Sequence, residues 1–261
     1  MLFGKTIVIT GVSSGIGRRT AELAGQLGAE VIGVDVNEPD QPLGHFVGGD
    51  VSTPDGVARI VDAMPGRLDA LCNVAGVSGR SGAAATLAVN FFGLRALSEL
   101  LAPKIREGGS VVNVASIAGY GWRANLERAR SIASTQGFPD PATIAEEFDV
   151  ADDACYPISK EILIVWTMMA AHQERFRGRG IRVNAVSPGP VETPILGQFR
   201  SVLGDEKVDS DINRVGRVGT PGDIAPTILF LCSDAARWIN GANIANDGGL
   251  EASINAEVLG F

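Results

Sequence analysis

Hydrophobic positions fall in short blocks separated by longer amphipathic stretches. Thr6 to Thr10 (TIVIT) is a β-branched apolar run ending at glycine, which predicts a strand buried on both faces. Helix-compatible sequence follows from Ile16 to Leu27, stops at Gly28, and gives way to a second buried strand at Glu30 to Asp35. The succession repeats: a strand at Phe46 to Val47, a helix over Pro54 to Ala63, a strand at Leu68 to Val74, a helix across Leu87 to Ile105 and a strand at Ser110 to Ala115. A helix after Pro157, a strand at Ile181 to Ser187, a helix at Ile224 to Leu231 and a strand at Asn243 to Asn246 complete it. Strands that alternate with helices need crossover connections, so the pattern predicts a parallel sheet of about seven strands with helices on both faces. One doubly wound α/β domain over residues 1–261 is the expectation. Only residues 121–153 break the alternation. They read as a helical insertion, with helices at Gly121 to Ser134 and Pro141 to Phe148 joined by the breaker Gly137-Phe-Pro-Asp-Pro141.

Composition sharpens this picture. Glycine supplies 33 of 261 residues without a G-X-Y period, well above a usual share of about 7%, so the chain has many special backbone positions. A hydrophobic share of 45% is that of a folded chain. The net charge of −8, with no basic cluster, argues against nucleic acid as a partner. Cys72, Cys155 and Cys232 form no C-x-x-C pair, and only His45 and His172 are present, so neither a disulfide framework nor a metal site is expected. A cytoplasmic, reducing setting fits those thiols. The opening residues pass straight into the first strand, which predicts no leader, and no stretch approaches the roughly 20 apolar residues of a membrane span.

The chemistry begins at the turn after the first strand. Thr10-Gly11-Val12-Ser13-Ser14-Gly15-Ile16-Gly17 places glycines where a helix N-terminus offers free backbone N–H groups to an anion such as a pyrophosphate. The spacing is G-x-x-x-G-x-G, and no G-K-[ST] follows, which excludes a triphosphate P-loop. Asp35 ends the second strand 18 residues after Gly17, where a carboxylate in a Rossmann-type domain accepts hydrogen bonds from the adenosine ribose. That carboxylate repels a 2′-phosphate. Val36, Asn37 and Ser14 nearby carry no positive charge, so NAD is expected over NADP; Arg18 and Arg19 are read as solvent-facing.

Further motifs follow in order: Asp50-Val51, Asn73-Val-Ala-Gly76, Asn90, Ser116, Tyr156-Pro-Ile-Ser-Lys160, Pro188-Gly189 with Val191 and Thr193, and Asp247-Gly248-Gly249. With the glycine turn, this series resembles the short-chain dehydrogenase/reductase family over nearly the whole chain. Tyr-x-x-x-Lys alone is common by chance; the ordered set is specific.

The residue types suit hydride transfer between an alcohol carbon and nicotinamide, which needs a group to take or give the hydroxyl proton. A free tyrosine, with a pKa of about 10, is a poor base at neutral pH. Tyr156 and Lys160 are four apart and share a helix face, so the ammonium is expected to lower the phenol pKa. Ser116, at the end of a strand, is placed to hold the substrate oxygen near that phenol. The resemblance implies that Lys160 also binds the nicotinamide ribose and that Asn90 supports a water-linked proton path, unless it is an ordinary polar residue of its helix. It further implies that Asp50 and Val51 meet the adenine, that Asn73, Ala75 and Gly76 line the cofactor, and that Pro188, Gly189, Val191 and Thr193 hold the nicotinamide end. Gly11, Ser13, Ser14, Gly15, Ile16, Gly17 and Asp35 complete the cofactor set, and Asn90, Ser116, Tyr156 and Lys160 the catalytic one. Cys155 reads as packing rather than nucleophile, because no histidine neighbours it. Thr220-Pro221-Gly222-Asp223 reads as a capped helix start, with Arg217 in a structural role.

Two spacings depart from the family's usual ones. Ser116 and Tyr156 are 40 residues apart, much more than is usual, and Gly76 to Asn90 is only 14 residues, which is shorter. Both departures resemble the subgroup of bacterial 3α-hydroxysteroid dehydrogenase/carbonyl reductases and coniferyl alcohol dehydrogenases. The implied function is oxidoreduction of an apolar cyclic or aromatic alcohol or ketone, a 3α-hydroxysteroid or a cinnamyl-type alcohol. A 3-oxoacyl thioester reductase and a non-catalytic NAD-binding sensor are the competing readings. Trp122, Ile132, Phe138 and Phe148 in the insertion either face the substrate or pack the insertion onto the sheet. Since the insertion precedes the Tyr156 helix, whose outer face commonly forms the family's dimer contact, a homodimer with a different contact is expected.

Overall fold

The computed structural model describes residues 2–41 and 43–261. Strands β1 (Thr6–Thr10), β2 (Glu30–Asp35), β3 (His45–Gly48), β4 (Leu68–Asn73), β5 (Ile105–Val114), β6 (Arg182–Pro188) and β7 (Asn243–Asn246) form one sheet in the order β3-β2-β1-β4-β5-β6-β7. Every neighbouring pair is parallel. The central strands are buried on both faces, which is why they read as continuous apolar runs. Strand periodicity divides them between two cores. Ile7, Ile9, Ala70, Cys72 and Val112 pack toward α1 (Gly15–Gln26) and α11 (Pro221–Cys232). Val8, Leu71 and Val111 pack the other way, toward α2 (Pro54–Ala63), α4 (Leu94–Leu101) and α7 (Cys155–Ala170). The expected fold is the observed one.

The larger departures from the expected boundaries surround β5. The helix expected over 87–105 begins earlier, as α3 (Gly82–Leu87), widens into an i→i+5 turn over Ala88–Gly93 and ends with α4. β5 starts at Ile105, and its pairing with β4 jumps from Leu68↔Ile105 to Ala70↔Ser110 across Gly108 and Gly109. Those glycines give the appearance of a break in sequence where the strand only bulges. The stretch Gly82–Leu101 is also long and apolar enough to cross a membrane by length and composition, contrary to the expectation of none. Phe91, Phe92, Leu94, Leu97 and Leu101 lie wholly inside the protein core, which accounts for its apolarity.

The insertion holds the expected pair of helices, α5 (Leu126–Ala133) and α6 (Pro141–Glu147), with Asp140 capping the second. A 3₁₀ segment, Ile117–Arg123, precedes them, so the first helix starts later than Gly121. α5 packs on α7, and α7 is buried along nearly its whole length within a single chain. The anchor is Arg95 of α4, 1% exposed. Its guanidinium lies over the rings of Phe91 and Phe92 and donates to the carbonyls of Thr135 (2.6 Å) and Gly137 and to the Thr135 hydroxyl (3.1 Å). Burial holds its pKa below the usual arginine value. Short α8 (Glu174–Arg177), then α9 (Leu196–Leu203), α10 (Asp205–Val215) and α12 (Leu250–Leu259), fall outside the sequence expectation. α10 buries only Val208 and α12 only Leu250, so each has few core contacts of its own.

Replacing Arg95 strands the carbonyls it serves. Arg95→Met is expected to lower the unfolding free energy by about 3 kcal/mol in denaturant titration and to expose residues 134–140 to proteolysis; an unchanged midpoint with no new cleavage contradicts this anchoring.

Candidate active site

The order of strands reverses between β1 and β4, and the crevice of an open α/β sheet lies at such a point. Thr10, which ends β1, fixes its edges: its Oγ1 accepts from the backbone N–H groups of Val74 and Ala75, both at 3.0 Å. Gly11 then turns with φ +77°, and a side chain there would meet the Ala75 backbone at 2.9 Å. At Gly17 a Cβ would stand 2.1 Å from the Gly11 carbonyl oxygen, so only glycine lets α1 start this close to β1. Ser14, at the N-cap, makes no side-chain cap, and the first turn of α1 holds no acidic residue. The positive end of the helix is therefore open to an anion.

A cleft of about 790 Å³ follows the carboxyl edge of the sheet. It brings together Gly11, Ser13, Ser14, Gly15, Ile16, Gly17, Asp35, Asp50, Val51, Ala75, Gly76, Ser116, Tyr156, Lys160, Pro188, Gly189, Val191 and Thr193. Asp35 accepts from the Ser13 N–H (2.9 Å) and hydroxyl (2.8 Å) and from the Asn37 N–H (3.1 Å), which hold it at the end of β2. Arg18 and Arg19 pair with Glu22 at 3.1 and 3.2 Å and lie outside the cleft. The open helix end, the glycine contacts and the carboxylate fit a dinucleotide.

Asn73 does not belong to this set. Its carboxamide turns into the core and donates to Ser98 Oγ and Asn113 Oδ1, both at 2.8 Å, tying β4 to α4 and β5. Residues 74–77, one step further along the chain, line the cleft instead. Asp247 caps α12 by accepting from the Glu251 N–H at 2.7 Å, and Gly248 and Gly249 are likewise absent from the lining. Trp122, Ile132, Phe138 and Phe148 pack the insertion against the core; Phe138 lies 6.0 Å from Phe92. The apolar walls come from Ile117, Leu196, Phe199, Val208 and Ile254. All five lie after Ser116, after Thr193 or at the end of the chain, in segments to which the sequence expectation assigns no element.

Lys160 and Asn90 converge beneath Gly76, and Tyr156 packs against Gly79. A Cβ on Gly76 would stand 3.3 Å from Asn90 Oδ1 and 3.7 Å from Lys160 Nζ. Asn90, fully buried in the widened turn, clamps Val77 by accepting from its N–H (2.8 Å) and donating to its carbonyl (3.0 Å), and donates to Ser159 Oγ (3.1 Å). Lys160 shares the helix face of Tyr156 as its spacing requires, with Nζ 5.7 Å from the ring centroid, and donates to the Val114 carbonyl at 2.9 Å. The expected lowering of the phenol is not what the chain alone produces. Burial pushes Tyr156 up to about 12, against the pull of a hydrogen bond from Ser116. Burial also brings Lys160 down to about 8. Cys155 is buried behind the tyrosine, and burial raises its thiol, as befits a packing residue. The expected helix cap at Thr220 is present, with Asp223 serving both Thr220 and Arg217.

The lysine shift carries a stability consequence. Between pH 8 and 10.5 the unfolded chain holds a proton that the folded chain has lost, so this group costs stability below pH 8, and the cost fades as pH rises to 10.5. Lys160→Met is expected to melt no lower than the wild type at pH 7, the removed cost being on the order of 3 kcal/mol, and to lose that advantage by pH 10.5. A mutant much less stable at pH 7 contradicts the burial account.

Known proteins resemble this chain in sequence and fold. A family model described as short chain dehydrogenase matches residues 5–126, and one described as Enoyl-(Acyl carrier protein) reductase matches residues 142–251. Coniferyl-alcohol dehydrogenase of a Pseudomonas species is 42% identical, covering 97% of this chain and 98% of its own. The 3-alpha-hydroxysteroid dehydrogenase/carbonyl reductase of Comamonas testosteroni is 26% identical over 94% of this chain and 96% of its own. The crystal structure of the 3-alpha-hydroxysteroid dehydrogenase from Pseudomonas sp. B-0831, complexed with NADH, superposes with a TM-score of 0.83 at 31% identity, covering 97% of this chain and 99% of that one. With the sheet order and the glycine turn, these likenesses settle the kinship: the chain belongs to the short-chain dehydrogenase/reductase family.

Proposed function

We propose that the protein is an NAD(H)-dependent oxidoreductase that moves a hydride between nicotinamide and the alcohol or carbonyl carbon of an apolar aromatic or cyclic substrate. The observation that carries this reading is continuity: a single cleft is lined by Asp35 and the glycine turn, by Ser116, Tyr156 and Lys160, and by the apolar side chains of Leu196, Phe199 and Ile254. The similarity to coniferyl-alcohol dehydrogenase favours a cinnamyl-type alcohol, and the NADH-bound 3-alpha-hydroxysteroid dehydrogenase keeps steroids in the same class.

The bound nicotinamide supplies the hydride acceptor or donor. The chain supplies the rest. Asp35 accepts the ribose hydroxyls and repels a 2′-phosphate. Ser116 donates to the substrate oxygen, Tyr156 takes the hydroxyl proton in oxidation and returns it in reduction, and Lys160 favours the phenolate and holds the nicotinamide ribose. Asn90 keeps the loop after β4 under the site and supports the proton path. The insertion covers α7, which supports a homodimer built on another face; a tetramer by light scattering contradicts that.

Initial rates with NAD⁺ and NADP⁺ against cinnamyl-type, hydroxysteroid and simple cyclic alcohols test the reading. NAD⁺ is expected to be preferred, and Asp35→Ser to narrow that preference by admitting NADP⁺. Tyr156→Phe is expected to lose about 10²- to 10⁴-fold in turnover. Preference for NADP⁺, or full turnover in Tyr156→Phe, contradicts the assignment. A phenol raised by burial keeps its proton at neutral pH, so oxidation rates are expected to climb as pH rises above 7.

A further inference from the structure

The segment after β6 places an aromatic ring against the proton-transfer residue. Phe199 on α9 is half-buried, and its ring centroid lies 4.7 Å from that of Tyr156, with the planes tilted by 51°. It lines the cleft among the aliphatic side chains Ile117, Leu196, Val208 and Ile254. The other aromatic ring there, Tyr120, has its hydroxyl engaged by Asn255 Oδ1 at 2.8 Å. α9 is fastened in place one residue before Phe199, where the hydroxyl of Ser78, 1% exposed, donates to Gln198 Oε1 at 2.8 Å. Ser78 belongs to the segment that leaves β4, so the ring is held from the catalytic side of the cleft.

We infer that Phe199 is a specificity-determining residue that selects substrates whose carbinol carbon carries a planar, conjugated substituent, and that the Ser78–Gln198 hydrogen bond positions it. The inference rests on the proposed alcohol and carbonyl chemistry of this cleft. A hydroxyl exchanging its proton with Tyr156 must lie about 3 Å from the phenol oxygen. The substituent on that carbon then passes the ring packed beside the phenol. A flat π system can lie offset or edge-on to Phe199, an arrangement worth up to about tenfold in affinity over simple burial. A puckered saturated group of equal size keeps the burial and loses that gain.

The test compares 3-phenylprop-2-en-1-ol with 3-cyclohexylpropan-1-ol, which share a carbon skeleton, under NAD⁺. The wild type is expected to show the higher kcat/KM for the planar alcohol. Phe199→Leu is expected to lower the ratio of the two values by about tenfold, and Phe199→Tyr to retain it. Gln198→Ala, altered at an exposed side chain, is expected to raise KM for the planar alcohol while kcat stays near the wild-type value. NADH binding, read by fluorescence, is expected to persist in all three. An equal ratio in the wild type and Phe199→Leu, with both alcohols oxidised, overturns the inference and leaves the proposed function standing. A wild type that oxidises neither alcohol overturns the inference, and one that also turns over no hydroxysteroid or cyclic alcohol overturns the proposed function as well.

Discussion

The reversal of strand order between β1 and β4 is the constraint on which everything else depends. Parallel strands that diverge there leave a gap at their carboxyl ends, and Thr10 sets its width by holding the Val74 and Ala75 N–H groups beside the end of β1. Gly11 and Gly17 let α1 begin against that same edge, where even one added carbon would strike the backbone. The helix end, the acidic end of β2 and the loop after β4 thus face one crevice. The site is made of strand ends, so its geometry is inherited from the most buried part of the molecule.

Burial explains both the order and the tension within the site. Tyr156 and Lys160 sit on a helix that the insertion and the sheet enclose, and each titrating group is pushed toward its neutral form. The protein tolerates this because α7 is anchored at many apolar positions, while Lys160 finds the Val114 carbonyl. A phenol raised to about 12 is a proton holder rather than a base. A positive charge brought next to it acts strongly in such a poorly solvated place, so under the proposed function the Tyr156 phenol would respond strongly to a cationic nicotinamide held in the cleft.

Much of this was legible in the sequence, for stated physical reasons. Buried parallel strands announce themselves as apolar runs, and the glycine turn, Asp35 and Tyr-x-x-x-Lys carry their geometry in fixed local spacings. Asn73 was misplaced because a strand residue's face depends on where the strand ends: one step along the chain separates the core network from the cleft. The walls of the substrate end were illegible. α9, α10 and α12 hold few buried residues of their own and are positioned by contacts such as Ser78 to Gln198 and Tyr120 to Asn255, which join residues far apart in sequence. The insertion's aromatic residues pack against the core that Arg95 helps to close.

The central claim is that the chain alone holds Tyr156 protonated and that the oxidised cofactor brings it down. The protein has two tyrosines, Tyr120 and Tyr156, so ultraviolet difference spectroscopy of the wild type against Tyr156→Phe isolates the ionisation of one phenol. In the protein without cofactor that ionisation is expected near pH 12, and in the presence of saturating NAD⁺ several pH units lower. A phenol that ionises at the same pH with and without NAD⁺ contradicts the account.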